Sequence, residues 1–371
     1  MQSSTFMHKI KDIITYLEGI APSAYQESYD NSGLITGDSQ TEVTGVLITL
    51  DSTEAVIDEA ISKKCNLVIA HHPIIFKGLK QITGKNYVER TIIKAIKNDI
   101  AIYAIHTNLD NVINGVNRKI ADKLELQNLK ILQPKNSILT KLVTYSPKAN
   151  TQSILVALHK AGAGNIGNYD QCSFTVEGSG TFRPNEQSTP HIGKKGKTES
   201  VTEDRIEVIL PTHLQHQILS ALKDAHPYEE VAYYLSEIVN KNQEVGAGII
   251  GELSSPMSAV AFLNHLKDKM QLNTIRHTTP VHDEIKRIAI CGGAGSFLLP
   301  RAIGSKADVF VTGDFKYHEF FDAENHLMIA DIGHYESEVF TKELIYDKLS
   351  EKFASFALNL SEINTNPISF F

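Results

Sequence analysis

The composition is that of an ordinary globular chain. Its 371 residues are 42% hydrophobic and 21% charged, which is enough for a sizeable core, and the length suggests more than one domain. The net charge of -7 argues against a broad nucleic-acid-binding surface. Three widely spaced cysteines, Cys65, Cys172 and Cys291, favour a reducing compartment and argue against a disulfide framework and a thiolate zinc site. No apolar stretch is long enough to cross a bilayer, so we expect a soluble, cytoplasmic protein with no membrane partner.

The first third of the chain alternates between predicted helices and strands. An amphipathic helix, starting near Ser4 or Thr5, occupies the residues before position 20. Strands are predicted over 46–50, 66–70 and 100–105, with helices over 54–64 and 91–98 between them. This alternation is typical of a mostly parallel α/β sheet.

A similar order of elements returns near the carboxyl end. Strands are predicted over 288–291, 308–312 and 327–332, and one long helix over 336–353. Residues 66–72 align with 308–314, and 105–110 align with 333–338, so that in each half a strand is followed by His, three residues and a carboxylate. We interpret this as a degenerate internal repeat whose halves face a central cleft. The alternative is that short βα segments resemble one another in general.

The middle of the chain has a different pattern. Residues 135–245 are predicted to follow the order β-α-β-β-α-β of a ferredoxin-like α+β domain, with a polar loop over 183–204. The segments on either side complete each other. We therefore predict a discontinuous α/β domain formed by residues 1–134 and 246–371, with the ferredoxin-like domain inserted into it.

His71 and His72 directly follow an apolar strand. The carboxyl ends of parallel strands are where open α/β sheets bind their ligands. Pro73 restricts His72 to extended conformations, which would separate the two rings and let each bind a different metal ion. The alternative is a pair of hydrogen-bonded loop histidines.

Asp110 closes the segment His106-Thr-Asn-Leu-Asp110, again just after a strand. A carboxylate can bind one cation or bridge two, whereas His106 is either a further ligand or a group that orients Asp110. Capping of a strand end or a turn is the alternative for both residues.

His334 and Glu338 are four residues apart at the start of the last predicted helix. This spacing puts both side chains on one helical face, as in other His/carboxylate metal motifs. The alternative is electrostatic, because Glu336 and Glu338 suit a helix amino terminus without any metal.

Together, His71, His72, Asp110, His334 and Glu338 predict a site for two divalent metal ions. Imidazole and carboxylate ligands suit zinc, with manganese, iron or cobalt as alternatives. Two such ions would activate a shared hydroxide as the nucleophile of a hydrolase, and no protein side chain is identified as catalytic. The glycine-rich segment 292–295 either approaches a phosphate or forms a tight turn.

These motifs resemble the family of GTP cyclohydrolase 1 type 2 homologues, the NGG-interacting-factor-like proteins, over essentially the whole chain. The residues that carry the resemblance are Tyr29-Asp-Asn-Ser-Gly-Leu34, Val68-Ile-Ala-His-His-Pro73, His106-Thr-Asn-Leu-Asp110, Ala294-Gly-Ser296, Thr312-Gly-Asp314 and Gly333-His-Tyr-Glu-Ser-Glu338. Members often have Trp at the position of Tyr29, so an aromatic residue is kept there.

The resemblance implies a dinuclear metal centre on the same five residues, a toroidal homohexamer and a central insertion similar to small trimeric regulatory proteins. We therefore expect a metal-dependent hydrolase that acts on a nucleotide or another phosphorylated small molecule. The alternatives are a non-catalytic metal-binding regulatory or scaffold protein and, against the acidic charge balance, a nucleic-acid-associated factor.

Overall fold

Three β-sheets organise the residues that the computed structural model describes, which are 8–242 and 244–371. Two of the sheets belong to a unit formed by the chain up to Gln133 and from Val245 onwards, and the third belongs to a unit spanning Pro134–Glu244. The first helix begins at Ile10, and the predicted start near Ser4 or Thr5 lies outside the described residues. No helix among the described residues has the length and apolar character needed to cross a membrane.

The helices and strands follow one another along three parts of the chain. The amino-terminal part contains α1 (Ile10–Ile20), β1 (Gly33–Thr36), β2 (Gly45–Thr49), α2 (Glu54–Ser62), β3 (Leu67–Ala70), α3 (Tyr87–Lys97), β4 (Ala101–Ala104), α4 (Thr107–Asp110), α5 (Val116–Lys123) and β5 (Gln127–Pro134). The middle contains β6 (Leu139–Pro147), α6 (Thr151–Lys160), β7 (Phe174–Phe182), β8 (Glu199–Pro211), α7 (Gln215–Ala225) and β9 (Tyr233–Ile238). The carboxyl-terminal part contains β10 (Gly246–Ser258), α8 (Ala259–Met270), β11 (Arg276–His277), β12 (Glu284–Ala294), α9 (Leu299–Gly304), β13 (Val309–Gly313), β14 (Met328–Asp331), α10 (His334–Glu338), α11 (Thr341–Lys352) and β15 (Ala357–Leu360).

The two sheets of the first unit share a four-strand pattern. The order is β1-β4-β3-β2 in one sheet and β11-β14-β13-β12 in the other. In each, the last three strands are parallel and the first pairs antiparallel to its neighbour. The sheets differ at the other edge, where β15 lies parallel to β2 and β10 lies antiparallel to β12. The α/β fold class is confirmed, and the shared order is the one that an internal repeat predicts.

Each of these sheets has its own apolar core. Side chains of β2, β3 and β4 pack against α2 and α3 in one cluster, and those of β12, β13 and β14 pack against α9 in another. Helices α2 and α3 begin at side-chain caps, since Thr53 accepts from the Val56 N–H and Asn86 from the Glu89 N–H. Packing in these cores positions the strands, and polar side chains follow their carboxyl ends.

The second unit is a four-stranded antiparallel sheet with the order β7-β8-β6-β9 and two helices. This is the ferredoxin-like order that the sequence predicts. Helices α6 and α7 contribute Ile154, Leu158, Ile218 and Leu222 to its core. The predicted loop is too long, because β8 begins at Glu199 and pairs with β7 through a polar, largely exposed hairpin that has no clear apolar periodicity.

The single long helix predicted over 336–353 is wrong. The structure has a short helix, α10, that begins at His334 and a separate α11 that begins at Thr341. Phe340, between them, is buried and lies under the ammonium group of Lys123, 3.4 Å from the ring centroid. This tertiary contact overrides a continuous helical periodicity, and α10 becomes a single turn with His334 and Glu338 at its two ends.

Glu89 of α3 organises the loop that precedes this helix. Its carboxylate accepts hydrogen bonds from the Thr83 and Lys85 N–H groups, the Thr83 hydroxyl and the Asn86 amide. The backbone N–H of Thr83, followed by that of Lys85, makes the largest contribution to lowering its pKa from 4.5 to about 2.

We expect Glu89→Gln to loosen this loop in a pH-dependent way. Because the pKa is lower in the folded state, the stabilisation by Glu89 is complete above about pH 4.5 and is lost as the pH falls towards 2. Hydrogen exchange of residues 83–86 should therefore be faster in the variant at pH 7, and the difference should shrink towards pH 3. A difference that grows on acidification would contradict this account.

Candidate metal centre

The ends of three parallel strands position the five residues predicted to bind metal. His71 and His72 follow β3, Asp110 ends the short helix α4 after β4, and α10 after β14 carries His334 and Glu338. The structure brings them together as two groups that share Glu338. His71, Asp110 and Glu338 form one group and His72, His334 and Glu338 the other, with ligand atoms within 4.8 Å of one another in each.

The first group contains polar atoms without partners. His71 is fully buried, and its Nδ1 lies 2.8 Å from the Ile105 carbonyl oxygen, which can only accept a hydrogen bond. The proton of the neutral ring is therefore on Nδ1, so that Nε2 directs a lone pair towards Asp110 Oδ1 at 3.5 Å and Glu338 Oε1 at 3.8 Å. His71 Nε2 and Asp110 Oδ1 have no hydrogen-bond partner among the described residues. Buried acceptors facing one another in this way are suited to a cation between them.

The second group surrounds the other oxygen of Glu338. Oε2 lies 2.9 Å from His72 Nε2 and 3.1 Å from His334 Nε2, and the two nitrogens are 3.3 Å apart. Burial acts to lower the pKa of His72, but its hydrogen bonds to Asp51 and Glu338 outweigh burial and raise it to about 10. The same competition raises the pKa of His334 to about 9. In the absence of a metal ion, these contacts favour the protonated forms of His72 and His334.

The two carboxylates have opposite pKa shifts. Burial, followed by the charge of Glu338, raises the pKa of Asp110 to about 7. Burial also acts to raise the pKa of Glu338, but its contacts with the imidazoles of His334, His71 and His72 hold it well below its ordinary value. The centre therefore concentrates negative charge on Glu338, the residue common to both groups.

A carboxylate holds the Nδ1 atom of each of three histidines. Asp51 lies 2.7 Å from Nδ1 of His72, and Asp314 lies 2.7 Å from Nδ1 of His334. Such contacts direct the other nitrogen, Nε2, towards the centre and make it a better metal ligand. Asp51 is itself held by the Thr365 hydroxyl at 2.6 Å.

His106 receives the same support from Asp30, 2.7 Å from its Nδ1. Asp30 also accepts from the Thr107 hydroxyl at 2.5 Å, so it couples the loop after α1 to this strand end. His106 forms a third group of possible ligands with His71 and His72. The hydrogen bond described for the His106 ring is to Asp30 and not to Asp110. The predicted role of His106 in orienting Asp110 therefore has no hydrogen bond to support it.

The glycine-rich segment after β12 provides space for Glu338 rather than free donors for a phosphate. Gly293 has a φ of +63°, and a Cβ at this position would overlap Glu338 Oε1. The Gly292 N–H donates to Asn117 Oδ1 and the Gly293 N–H to Ser337 Oγ, both at 2.9 Å. The tight-turn interpretation therefore accounts for these glycines.

A cavity of about 520 Å³ opens over the two groups. Aromatic side chains contribute to its walls through Tyr29, Phe76, Phe297 and Tyr335, and the carboxyl-terminal segment 366–368 closes part of its rim. No lysine or arginine is among the described residues that line it, whereas five acidic side chains are: Glu27, Asp51, Asp110, Asp314 and Glu338. An anionic ligand would therefore depend on bound cations for attraction.

The prediction missed Asp51 and Thr365. Asp51 had a usable signal, because it follows the end of β2 as His71 follows β3, and parallel strand ends meet at one edge of a sheet. Thr365 had none, because it lies in an irregular carboxyl-terminal segment 314 residues away from Asp51.

Fold and site together define a class of protein: an α/β chain with two repeated halves whose strand ends gather histidines and carboxylates that could hold metal ions. The model of the DUF34/NIF3 (NGG1p interacting factor 3) family matches residues 8–367, and the chain belongs to this family. It is 39% identical over 366 residues to a Bacillus subtilis protein named GTP cyclohydrolase 1 type 2 homolog, a match that covers 97% of this chain and 98% of that protein.

Solved structures agree with this assignment. A Bacillus cereus protein related to NIF3 is 38% identical, with a TM-score of 0.86 over 98% of this chain and all of that chain. A Staphylococcus aureus protein is 34% identical, with a TM-score of 0.78 over 98% of this chain and 99% of that chain. The family resemblance predicted from the sequence motifs is confirmed.

Proposed function

We propose that the chain is a dinuclear metal protein and that its reaction is metal-dependent hydrolysis of a nucleotide or another phosphorylated small molecule. His71 and Asp110 would hold one divalent ion, His72 and His334 the second, and Glu338 would bridge them. Zinc fits this imidazole and carboxylate set best, and manganese, iron or cobalt fit it as well. No side chain is assigned as the general acid or base.

The observation that carries the proposal is the pair of buried atoms without partners, His71 Nε2 and Asp110 Oδ1. Both atoms belong to the first group, which also contains Glu338. The ion pairs described for the Glu338 carboxylate are all with imidazole rings. In a site without a metal function, such groups would be paired or replaced by apolar residues, since burying them unpaired costs about 1–3 kcal/mol each.

Bound ions would supply Lewis acidity and a nucleophile activated from water. The chain itself orients the ligands through Asp51, Asp314 and Ile105, and its aromatic walls provide surfaces on which a planar base can stack. The cavity volume of about 520 Å³ lies in the range of small-molecule sites. Relatives are named GTP cyclohydrolase 1 type 2 homolog, which is consistent with a nucleotide substrate class.

The test combines binding with turnover. Protein freed of metal and then loaded with zinc or manganese should bind nucleoside triphosphates or phosphodiesters only in the loaded form, because the described lining of the cavity has no lysine or arginine and its five acidic side chains outnumber its three histidines. A panel of these compounds should include one whose hydrolysis disappears in the His71→Ala/Glu338→Ala double variant. Turnover that survives in this variant, or that proceeds equally without metal, would refute the hydrolase.

The second candidate is a non-catalytic metal-binding regulatory or scaffold protein. It is favoured by the lack of any side chain assigned as general acid or base in the cavity over the proposed ligands. Under this alternative, metal removal changes the oligomeric state or the melting temperature, and no compound of the panel turns over in the loaded protein.

We propose a homohexamer, as the family resemblance implies, and a cytoplasmic location consistent with three free cysteines. Native mass spectrometry should show six copies.

We also propose that residues 135–245 form an inserted domain that folds independently, since the unit Pro134–Glu244 has its own core. This fragment, expressed alone, should give a cooperative thermal transition.

Asp51→Asn should weaken metal binding by about tenfold without removing a ligand, because it alters the charge that holds His72 in place. Thr365→Val should have a smaller effect in the same direction, since it releases only the other oxygen of Asp51. Calorimetric titration of metal-free protein with zinc measures both. Asp58→Asn is the control, because Asp58 is an exposed partner of Lys94 outside the centre. Equal affinities of Asp51→Asn and Asp58→Asn would contradict the orienting role.

A further inference from the structure

The unit Pro134–Glu244 contains a separate cavity that the proposed metal chemistry does not use. It has a volume of about 430 Å³ and lies between the β7–β8 hairpin, the loop 183–198 and the segment after α7. The loop is fixed over it by a hydrogen bond of 2.7 Å from the Thr189 N–H to Glu229 Oε1. Every described lining residue falls within 145–234, so the site is complete within this unit.

Aromatic rings form much of the wall. Tyr228 lies at their centre, with ring centroids 6.3 Å from Phe182 and 6.0 Å from His191. Tyr145 and Tyr234 form a second, edge-to-face pair at 6.1 Å on the same cavity. Several aromatic faces around one cavity are a surface on which an apolar or cationic group can be held.

A buried carboxylate accompanies these rings. Glu203 is only 8% exposed, although it lines the cavity. Its side chain lies across Gly180, where a Cβ would overlap Oε2. Glu203 Oε1 accepts a hydrogen bond of 2.9 Å from the Tyr228 hydroxyl, which stays protonated because burial and the neighbouring Glu203 raise the pKa of Tyr228.

Glu203 has no cationic partner among the described residues. Two nearby basic side chains pair with other acids: Lys148, just after β6, with Glu177, and Arg205, on the same strand as Glu203, with Glu207. The cavity as a whole is acidic, since Glu203, Glu229 and Glu230 line it and Arg183 supplies the single guanidinium among its described lining residues. A largely buried carboxylate that is left without a counter-charge is costly unless a ligand supplies one.

We infer that this cavity binds a small organic cation, with its charged group against Glu203 and its apolar part between Tyr228 and Phe182. The ligand class is a quaternary ammonium or a guanidinium compound, since both offer a positive charge and a surface that packs on aromatic rings. Binding of such a cation does not depend on whether the metal centre hydrolyses anything, because every described lining residue of this cavity lies in the unit Pro134–Glu244.

The test uses the full chain with two singly charged probes, choline for the ammonium and butylguanidine for the guanidinium, and binding is measured by calorimetry or ligand-observed NMR. At least one probe should bind saturably, with a dissociation constant of about 1 mM or tighter. The neutral isostere of choline, 3,3-dimethylbutan-1-ol, should bind at least about tenfold more weakly than choline if the ammonium is the class recognised. A preference for butylguanidine alone would assign the guanidinium class.

Glu203→Gln should weaken binding of the preferred probe by about tenfold, and Phe182→Leu should weaken it severalfold by removing one ring. Glu177→Gln is the matched control, because it makes the same charge change on β7 outside the cavity and should leave binding unchanged. If Glu203→Gln fails to fold, the Phe182→Leu variant and the comparison of charged and neutral probes still test whether the cavity binds an organic cation. Saturation by neither probe at about 50 mM, equal binding of the isostere, or unchanged binding in Glu203→Gln would overturn the inference.

Discussion

Replacing Glu338 by Gln is expected to abolish binding of both proposed metal ions together. Its two oxygens face different groups, Oε1 towards His71 and Oε2 towards His72 and His334. An amide cannot offer two anionic oxygens, and its NH₂ group would face imidazole nitrogens or a cation. We expect the affinity for zinc to fall by at least about 100-fold, more than for a residue that only orients a ligand. Metal content after dialysis, measured by inductively coupled plasma mass spectrometry, tests this directly.

Glu336→Gln provides the matched control on the same helix. This substitution makes the same chemical change two residues before Glu338. The Glu336 carboxylate accepts a hydrogen bond from Asn366 rather than contacting a histidine. Its metal content should equal that of the unaltered protein. A Glu338→Gln variant that loses only one of two ions would show that Glu338 belongs to a single group, and full retention would remove the carboxylate from the centre.

Gly293→Ala is expected to disrupt the proposed metal centre without changing any of the five proposed ligands. The new methyl group would overlap Glu338 Oε1, and Glu338 is only 3% exposed and held on several sides, so it cannot move without separating from His71 or His72. We expect zinc affinity to fall by about tenfold or more. The positive φ adds a cost of about 1–2 kcal/mol to folding, since Ala avoids the left-handed region.

Zinc titration and urea unfolding of the metal-free protein separate these two effects. Gly19→Ala is the control, because Gly19 lies within α1 with open space around the position of a Cβ. That substitution should raise the free energy of unfolding by about 0.5–1 kcal/mol and leave zinc binding unchanged. If Gly293→Ala binds zinc as the unaltered protein does, Glu338 has room to move and the glycine serves only the turn.

Much of the fold was predictable because its signals are local. Apolar strand runs alternating with helical periodicity indicated an α/β sheet, and the similarity between 66–72 and 308–314 anticipated the common strand order of the two sheets. The errors fall where a local pattern competes with tertiary contacts. Phe340 divides the predicted last helix by packing under Lys123, and β8 begins earlier than predicted because hairpin pairing with β7 needs no apolar periodicity.

The candidate site was predictable in its chemistry but not in its arrangement. Histidines and carboxylates after strands are visible in the sequence, and a parallel sheet gathers its strand ends along one edge. Which oxygen of Glu338 faces which histidine, and which aspartate holds each ring, depends on side chains far apart in the chain. No local pattern encodes these approaches.

The sequence by itself determined the α/β class, the family and the five residues proposed as ligands, because periodicity, residue chemistry and motif order are properties of short segments. Only the tertiary structure decided that these residues form two groups around Glu338, that Gly293 makes room for its carboxylate, and that Glu203 lies buried among aromatic rings. The physical reason is the same in each case: burial and the pairing of charges are set by the close packing of segments that are distant in the chain.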